Sequence, residues 1–300
     1  MTYSIVARDP DSGALGVAVQ SCFFSVGSVV CWARAGVGAV ATQALVEPGY
    51  GPTCLGLVAD GATAPEALES AWAADPGNVV RQVAVVDASG RGAARTGELC
   101  IDFAGDQGGD GYRVQANMMA NAGVWPAMAE AYESTRGRLA DRLLAALYAA
   151  EAAGGDARGR MSAAMLVVDG ERRDTPWAGV EVDIRVDHHP EPLDELGRLL
   201  RAAGAFRDCD RGETALFDGD PAVALTAADD GLAVLPEEGN LRLLRIGALL
   251  MGGRVDEGIA EARALVATQP SWAVVLRSVA DKGLFPLPSE IHLDELLGAP

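Results

Sequence analysis

The chain has 300 residues, 49% of them hydrophobic and 22% charged, with a formal net charge of −18. That balance suits a globular protein able to bury a full core, built as one large domain or two small ones. The acidic surplus excludes the basic footprint of nucleic-acid binding and any electrostatic pull toward anionic membranes; Lys282 is the only lysine.

The chain opens Met1-Thr2-Tyr3-Ser4-Ile5-Val6-Ala7. Residues 3–7 read as a strand, Asp9-Pro10-Asp11-Ser12-Gly13 as a turn, and Ala14 to Ser21 as the return strand of a hairpin. Val26 to Ala33 and Gly36 to Leu45 read as further strands. Gly51 to Ala59 is helical in pattern. Thr63 with Glu66 forms a capping box for a helix running through Ala67, Leu68, Ala71 and Trp72. Arg81 to Asp87 and Gly92 to Thr96 flank a hairpin turn at Ala88-Ser89-Gly90. Gly105 to Gly111 reads as an acidic, Gly-rich surface loop without EF-hand ligand spacing, and Tyr112 to Gln115 as a strand. Val124, Met128, Ala131 and Tyr132 mark one helix face; Leu139, Leu143, Leu144 and Leu147 mark the next, which stops at Gly154-Gly155-Asp156. Ser162 to Val168 and Val180 to Val186 are the last strands of the region.

Strands arriving as hairpins, with helices in pairs between them, predict mostly antiparallel sheets. Two sheets sandwiched between helical layers satisfy that order, whereas a doubly wound parallel fold does not. The expected fold class is therefore α+β, a four-layer αββα sandwich over residues 1–192. From Pro192 onward strand signals vanish. Ala215-Leu216-Phe217 matches Ala248-Leu249-Leu250, Gly219 matches Gly253, and Pro236 matches Pro270, at offsets of 33 to 34 residues. This period resembles a tetratricopeptide repeat and predicts an all-α domain over residues 193–300 that packs or binds a partner.

No run is long and apolar enough for a membrane helix, and no basic n-region with an apolar h-region opens the chain. A cytoplasmic location is expected. Cys22, Cys31, Cys54, Cys100 and Cys209 lack CxxC spacing, and His188, His189 and His292 are the only histidines. No metal and no cofactor is expected. Motifs for phosphate loops, serine elbows and zinc proteases are missing.

Thr2 is the most economical nucleophile left. If Met1 is removed, the hydroxyl and a free α-amine share one residue, and an amine with a pKa of about 8 serves as general base. The oxyanion then needs amide donors, for which Gln43, Gln115 and Asn117 are candidates near strand ends.

Several separated motifs occur in one order: Ser4-Ile5-Val6-Ala7-Arg8-Asp9-Pro10, Gly36-Val37-Gly38-Ala39-Val40-Ala41-Thr42-Gln43, Tyr50-Gly51-Pro52, Gly111-Tyr112-Arg113-Val114-Gln115, Asn117-Met118 and Gly154-Gly155-Asp156-Ala157-Arg158-Gly159-Arg160. Together they resemble the bacterial and archaeal family known as domain of unknown function 1028, over roughly residues 1 to 190. That family is similar in fold to N-terminal nucleophile (Ntn) hydrolases. The resemblance implies Thr2 as nucleophile, with Asn117 assisting the amine, Asp156 orienting it and Ser162 nearby. Ser4, Arg8, Thr42, Gln43 and Gln115 lie in these motifs and are candidate substrate-binding residues, together with Ser21. The chain departs from the family pattern at Cys22, where a basic residue is usual, at Met161, where Gln is usual, and at Ala116, where Gly is usual.

The expected function is hydrolysis of an amide or other C–N bond in a small molecule. The alternatives are a non-catalytic ligand- or partner-binding protein, and an isomerase or lyase using Ser4 and Arg8. A homodimer and a protein partner on the helical domain are the expected associations.

Overall fold

The computed structural model describes residues 2–175 and 178–284. Met1 and His292 lie outside the described residues. Two compact units divide the chain, Met1–Leu200 and Arg201–Pro300.

The first unit holds mixed α and β structure. It begins with the strands β1 (Thr2–Arg8) and β2 (Leu15–Ser21). The helical turn α1 (Gly27–Val30) leads into β3 (Cys31–Arg34) and β4 (Gly38–Ala44). Helices α2 (Tyr50–Ala59) and α3 (Ala64–Ala74) precede β5 (Arg81–Asp87), β6 (Gly92–Thr96), β7 (Gly105–Gly109) and β8 (Tyr112–Asn117). Helices α4 (Val124–Ser134) and α5 (Leu139–Ala152) precede β9 (Ser162–Val168) and β10 (Val180–Val186).

All strand pairings are antiparallel. One sheet has the order β10-β9-β2-β1-β8-β7, the other β3-β4-β5-β6. Alternation along the strands decides what each face buries. Tyr3, Ile5 and Ala7 of β1 point toward α4 and α5, where they join Met128, Leu143 and Leu147 in one core. Val6, Val17 and Val19 point the other way and meet Ala39, Ala41, Ala84 and Val86 of the second sheet. Val40, Val83 and Val85 turn toward α2 and α3 and pack on Tyr50, Cys54 and Leu68. Burying a Leu or Val side chain fully contributes about 1.5–3 kcal/mol, so these three cores carry the unit.

Local chemistry sets the helix limits as the sequence predicts at α3. Thr63 Oγ1 accepts from the Glu66 backbone N–H at 3.3 Å, and the Glu66 carboxylate accepts from the Thr63 N–H at 2.8 Å. Close packing of α5 on β2 depends on Gly16, where a Cβ would stand 2.7 Å from a Leu143 methyl.

Two elements differ from the sequence reading. The apolar run from Val26 to Ala33 is not one strand: it opens with α1, and only Cys31–Arg34 is extended. Val26 and Val30, four residues apart, share the core between the sheets, and a short apolar run has no period that separates strand from helix. The Gly-rich segment starting at Gly105 is not a loop but the edge strand β7, paired with β8. Its glycines leave room for neighbours: Trp125 covers Gly105 and Tyr112 covers Gly109.

Helix α6 (Pro192–Phe217) begins in the first unit and continues into the second. The division between the units falls within this helix; the sequence reading set the boundary between residues 192 and 193. Leu193, Leu196 and Leu200 belong to the core of the first unit, and Ala205, Cys209 and Leu216 to that of the second.

Among its described residues the second unit is helical, with α7 (Pro221–Val234), α8 (Gly239–Met251), α9 (Val255–Thr268) and α10 (Trp272–Asp281) following α6. The 34-residue offset reappears here as matching helix limits, Pro221–Val234 against Val255–Thr268. Gly219 and Gly253 occupy equivalent turns with φ of 80° and 76°, conformations that glycine adopts without a Cβ clash. Among the described residues, no helix is long and apolar enough to cross a membrane.

Candidate active site

Sheet register assembles the site. Thr2, the first residue of β1, pairs with Asn117, the last of β8. Tyr3 pairs with Gln20, which sets Thr2 beside Ser21 at the end of β2. Ser21 in turn pairs with Ser162, the first residue of β9. Asn117, Thr2, Ser21 and Ser162 thus form a row of polar side chains across four adjacent strands. Cross-strand neighbours point to one face, and here that face is the one turned toward the second sheet. All four residues are buried.

The hydroxyls of the row are engaged. Thr2 Oγ1 donates to Ser21 Oγ at 3.2 Å. Ser162 Oγ donates to the Phe23 carbonyl at 2.5 Å and accepts from the Val26 N–H at 3.1 Å, which pins the segment after β2.

Beneath the row lies a network of buried amides. Gln43 Nε2 donates to the Thr2 carbonyl at 3.1 Å and to Gln82 Oε1 at 2.7 Å. Asn117 Nδ2 reaches the same two acceptors, at 3.5 Å and 2.9 Å. Gln82 Nε2 donates to Thr96 Oγ1 and to the Ala116 and Gly105 carbonyls. Ser4 Oγ donates to Gln43 Oε1 at 2.7 Å and accepts from Gln115 Nε2 at 3.2 Å, and Gln115 also donates to the Ala41 carbonyl. The amide N–H groups of Gln43, Gln115 and Asn117 are therefore spent inside the protein. They hold the Thr2 carbonyl, Gln82, Ser4 and the Ala41 carbonyl; they do not point free donors at a reacting carbonyl.

Asp156 stands at the rim of the row. Its carboxylate accepts from the Cys22 N–H at 3.1 Å and the Arg158 N–H at 2.9 Å, and it pairs with the Arg158 guanidinium. A β-bridge between Met119 and Asp156 ties this loop to the segment after β8. On the opposite face of β1, Tyr3 donates to Glu151 at 2.7 Å; burial, followed by the Glu151 charge, pushes the Tyr3 phenol well above its ordinary range.

Two candidate residues are not brought to this site. Arg8 ends β1, six residues from Thr2, which is about 20 Å along a strand. Its guanidinium donates to the Ala88 carbonyl at the far end of the sheets, and Asp9 accepts from Asp11 and Ser12 instead of pairing with it. Thr42 neighbours Gln43 in β4 and so points to the other face, where its hydroxyl donates to the Glu47 carbonyl.

Gln82 is the residue that sequence reasoning missed. Its signal was an amide directly ahead of the apolar run Val83 to Val86 in β5. Also missed was a cavity of about 40 Å³ above Thr2 and Gln43, walled by Phe23, Val26, Val29, Val30, Ala44 and Val46. Exposed Phe24, Leu45, Leu99 and Ile101 occupy loops at the same end of the strands.

Backbone strain gathers at this end as well. Among the described residues the non-glycine positions with positive φ are Ser25 (53°), Ala44 (72°) and Met118 (58°). Ala44 follows Gln43, Met118 follows Asn117, and Ser25 lies between Phe23 and Val26 of the cavity wall. Such conformations cost about 1–3 kcal/mol each and persist where the surroundings over-determine them.

Among the described residues, no group of three or more His, Cys, Asp or Glu side chains is placed to hold a metal ion. The arrangement presents one hydroxyl, hydrogen-bonded to a second, at the base of a small apolar cavity.

Comparison with known proteins adds two findings. The family described as "Family of unknown function (DUF1028)" matches residues 2–196. The crystal structure of a protein from Silicibacter pomeroyi, described with the same family name, superposes with a TM-score of 0.61 at 34% identity, covering 67% of this chain and 88% of that one. No curated protein matches the chain.

Proposed function

The chain belongs to the family of unknown function DUF1028, and we propose that it is an Ntn-type hydrolase that cleaves an amide or other C–N bond of a small molecule through Thr2. In this reading the first unit is the αββα sandwich of that enzyme class, and the second is a tetratricopeptide-like extension. One observation carries it: the Thr2 hydroxyl, at the head of β1, is buried in a row with Asn117, Ser21 and Ser162 and opens onto the cavity between Gln43 and Phe23.

The chemistry follows from a free α-amine on Thr2. Removal of Met1 would create it, because a small second residue permits that cleavage. Thr2 Oγ attacks the substrate carbonyl carbon as its proton passes to the amine. The tetrahedral intermediate collapses, the C–N bond breaks, and the amine returns the proton to the leaving nitrogen. Water then attacks the acyl ester by the same route, releasing the acid and restoring the hydroxyl. Ser21 fixes the direction of the Thr2 hydroxyl. Gln43 and Asn117 hold the Thr2 carbonyl and so aim the residue. Asp156 holds the Cys22 backbone, and through it the position of Ser21.

The test uses protein whose intact mass shows Met1 removed, assayed on a panel of small amides, ureido compounds and cyclic imides. Thr2→Ala is expected to lower turnover by more than about a thousandfold, with the circular dichroism spectrum unchanged. Activity that survives in Thr2→Ala, or in protein that retains Met1, would overturn the reading.

A further inference from the structure

We propose that the Thr2 site selects a substrate whose acyl group is a short, uncharged alkyl chain; this rests on the reading of Thr2 as nucleophile. Three observations lead to it.

The first is the lining. Phe23, Val26, Val29, Val30, Ala44 and Val46 wall the cavity, and only Thr2 and Gln43 contribute polar side chains to it. The Gln43 N–H groups already serve the Thr2 carbonyl and Gln82. A carboxylate or ammonium at the far end of the acyl chain would shed its hydration among Phe23 and the valines, away from the Thr2 amine, where no lining side chain carries a charge or a free donor. Buried charge without a partner is strongly disfavoured.

The second is size. The cavity measures about 40 Å³. One water needs about 10–15 Å³ of such space, and a cavity of about 150 Å³ takes benzene. The space above Thr2 lies between these limits and suits a chain of a few carbons.

The third is rigidity. Both ends of the wall from Phe23 to Val26 are fastened to one atom, since Ser162 Oγ donates to the Phe23 carbonyl and accepts from the Val26 N–H. Val26 and Val30 are also buried in the core between the sheets. The residue that ends the polar row therefore fixes the shape of the apolar wall. Phe23, half-exposed, completes the wall.

Alkylboronic acids test this without knowledge of the natural substrate. Boron accepts an electron pair from Thr2 Oγ, a B–O bond forms, and the hydroxyl proton passes to the α-amine; nothing is oxidised or reduced. Binding of methyl-, propyl-, butyl- and 3-carboxypropylboronic acid would be measured by calorimetry on protein with Met1 removed, with Thr2→Ala as control. Affinity is expected to rise about fourfold per methylene from methyl to propyl. The 3-carboxypropyl compound is expected to bind at least about tenfold more weakly than butyl, the desolvation of its carboxylate being uncompensated. Val46→Arg, a change at a half-buried loop position, is expected to narrow or reverse that difference. Equal or tighter binding of the carboxylate by the unsubstituted protein, or no gain with chain length, would overturn this proposal alone. Failure of every boronate to bind protein with a free Thr2 would overturn the nucleophile reading and this proposal with it.

Discussion

Gln43 and Gln82 are register partners on β4 and β5, and the Gln43 amide donates to Gln82 Oε1 across 2.7 Å. Gln43 also donates to the Thr2 carbonyl, and Asn117 bonds both that carbonyl and Gln82, so the second sheet reaches Thr2 through two side chains. Gln82 is fully buried and all its polar atoms are paired. Replacing it with Leu strands donors on Gln43 and Asn117 and an acceptor at Ala116. Each buried, unpaired group costs about 1–3 kcal/mol. Gln82→Leu is expected to lose about 2–5 kcal/mol in urea unfolding; a loss below about 0.5 kcal/mol would show that water replaces the amide freely.

Asp87 is a second buried anchor. It accepts the Ala64 N–H at the start of α3, the Ser89 N–H and hydroxyl, and the Arg91 guanidinium. Burial works against its ionised form, yet those hydrogen bonds and the Arg91 charge hold its pKa below the ordinary carboxylate range. Asp75 is lowered likewise: burial opposes ionisation, and bonds from Gly77, Arg81 and Tyr50 outweigh it. A depressed folded-state pKa adds stability that is complete above the unfolded value of about 3.9 and is lost as pH falls through the folded value. Urea midpoints measured from pH 7 to pH 2 should fall across that acid window. In Asp87→Asn the midpoint should be lower at pH 7 and the acid fall shallower. An unchanged acid fall would assign the effect to other carboxylates.

Packing of α5 on β2 gives a third expectation. A side chain at position 16 would meet Leu143 at 2.7 Å and Leu139 at 3.1 Å, and both leucines are buried. Gly16→Val is expected to destabilise the protein by about 1–3 kcal/mol through overpacking. A neutral result in thermal unfolding would mean that the helix shifts outward without loss.

Cys54 and Cys209 are buried, and burial pushes both thiols up to about 12. The thiolate is the reactive form. Iodoacetamide at pH 8 should leave both unmodified in the native protein and alkylate both in denaturant, read by peptide mass. Rapid native labelling of Cys54 would show that the core of α2 and α3 opens readily.

Much of the fold was legible along the chain. The limits of β5, β6, β9 and β10 and the capping box of α3 follow from turn residues, alternation and a local hydrogen-bond motif, all of which act within a few residues. The run from Val26 to Ala33 was not legible, because its conformation is fixed by Ser162, far away in sequence, holding the Val26 N–H. Strand β7 was hidden by its glycines, whose role is to admit Trp125 and Tyr112. Arg8 and Thr42 share motifs with true neighbours of Thr2, but a strand separates its two ends and its two faces, and a motif read as a string does neither.

The sequence by itself determined the order of hairpins and helix pairs, the 34-residue offset of the second unit, and a threonine at the head of the first strand. Those properties depend on spacing and on local backbone preference. Only the tertiary structure decided that Asn117, Thr2, Ser21 and Ser162 form one row, that Gln82 locks it from the second sheet, and that valines wall the space above it. Register between strands distant in sequence is set by long-range pairing and by burial of one face, and shifting any of these strands by one residue would turn its polar side chain away from the row.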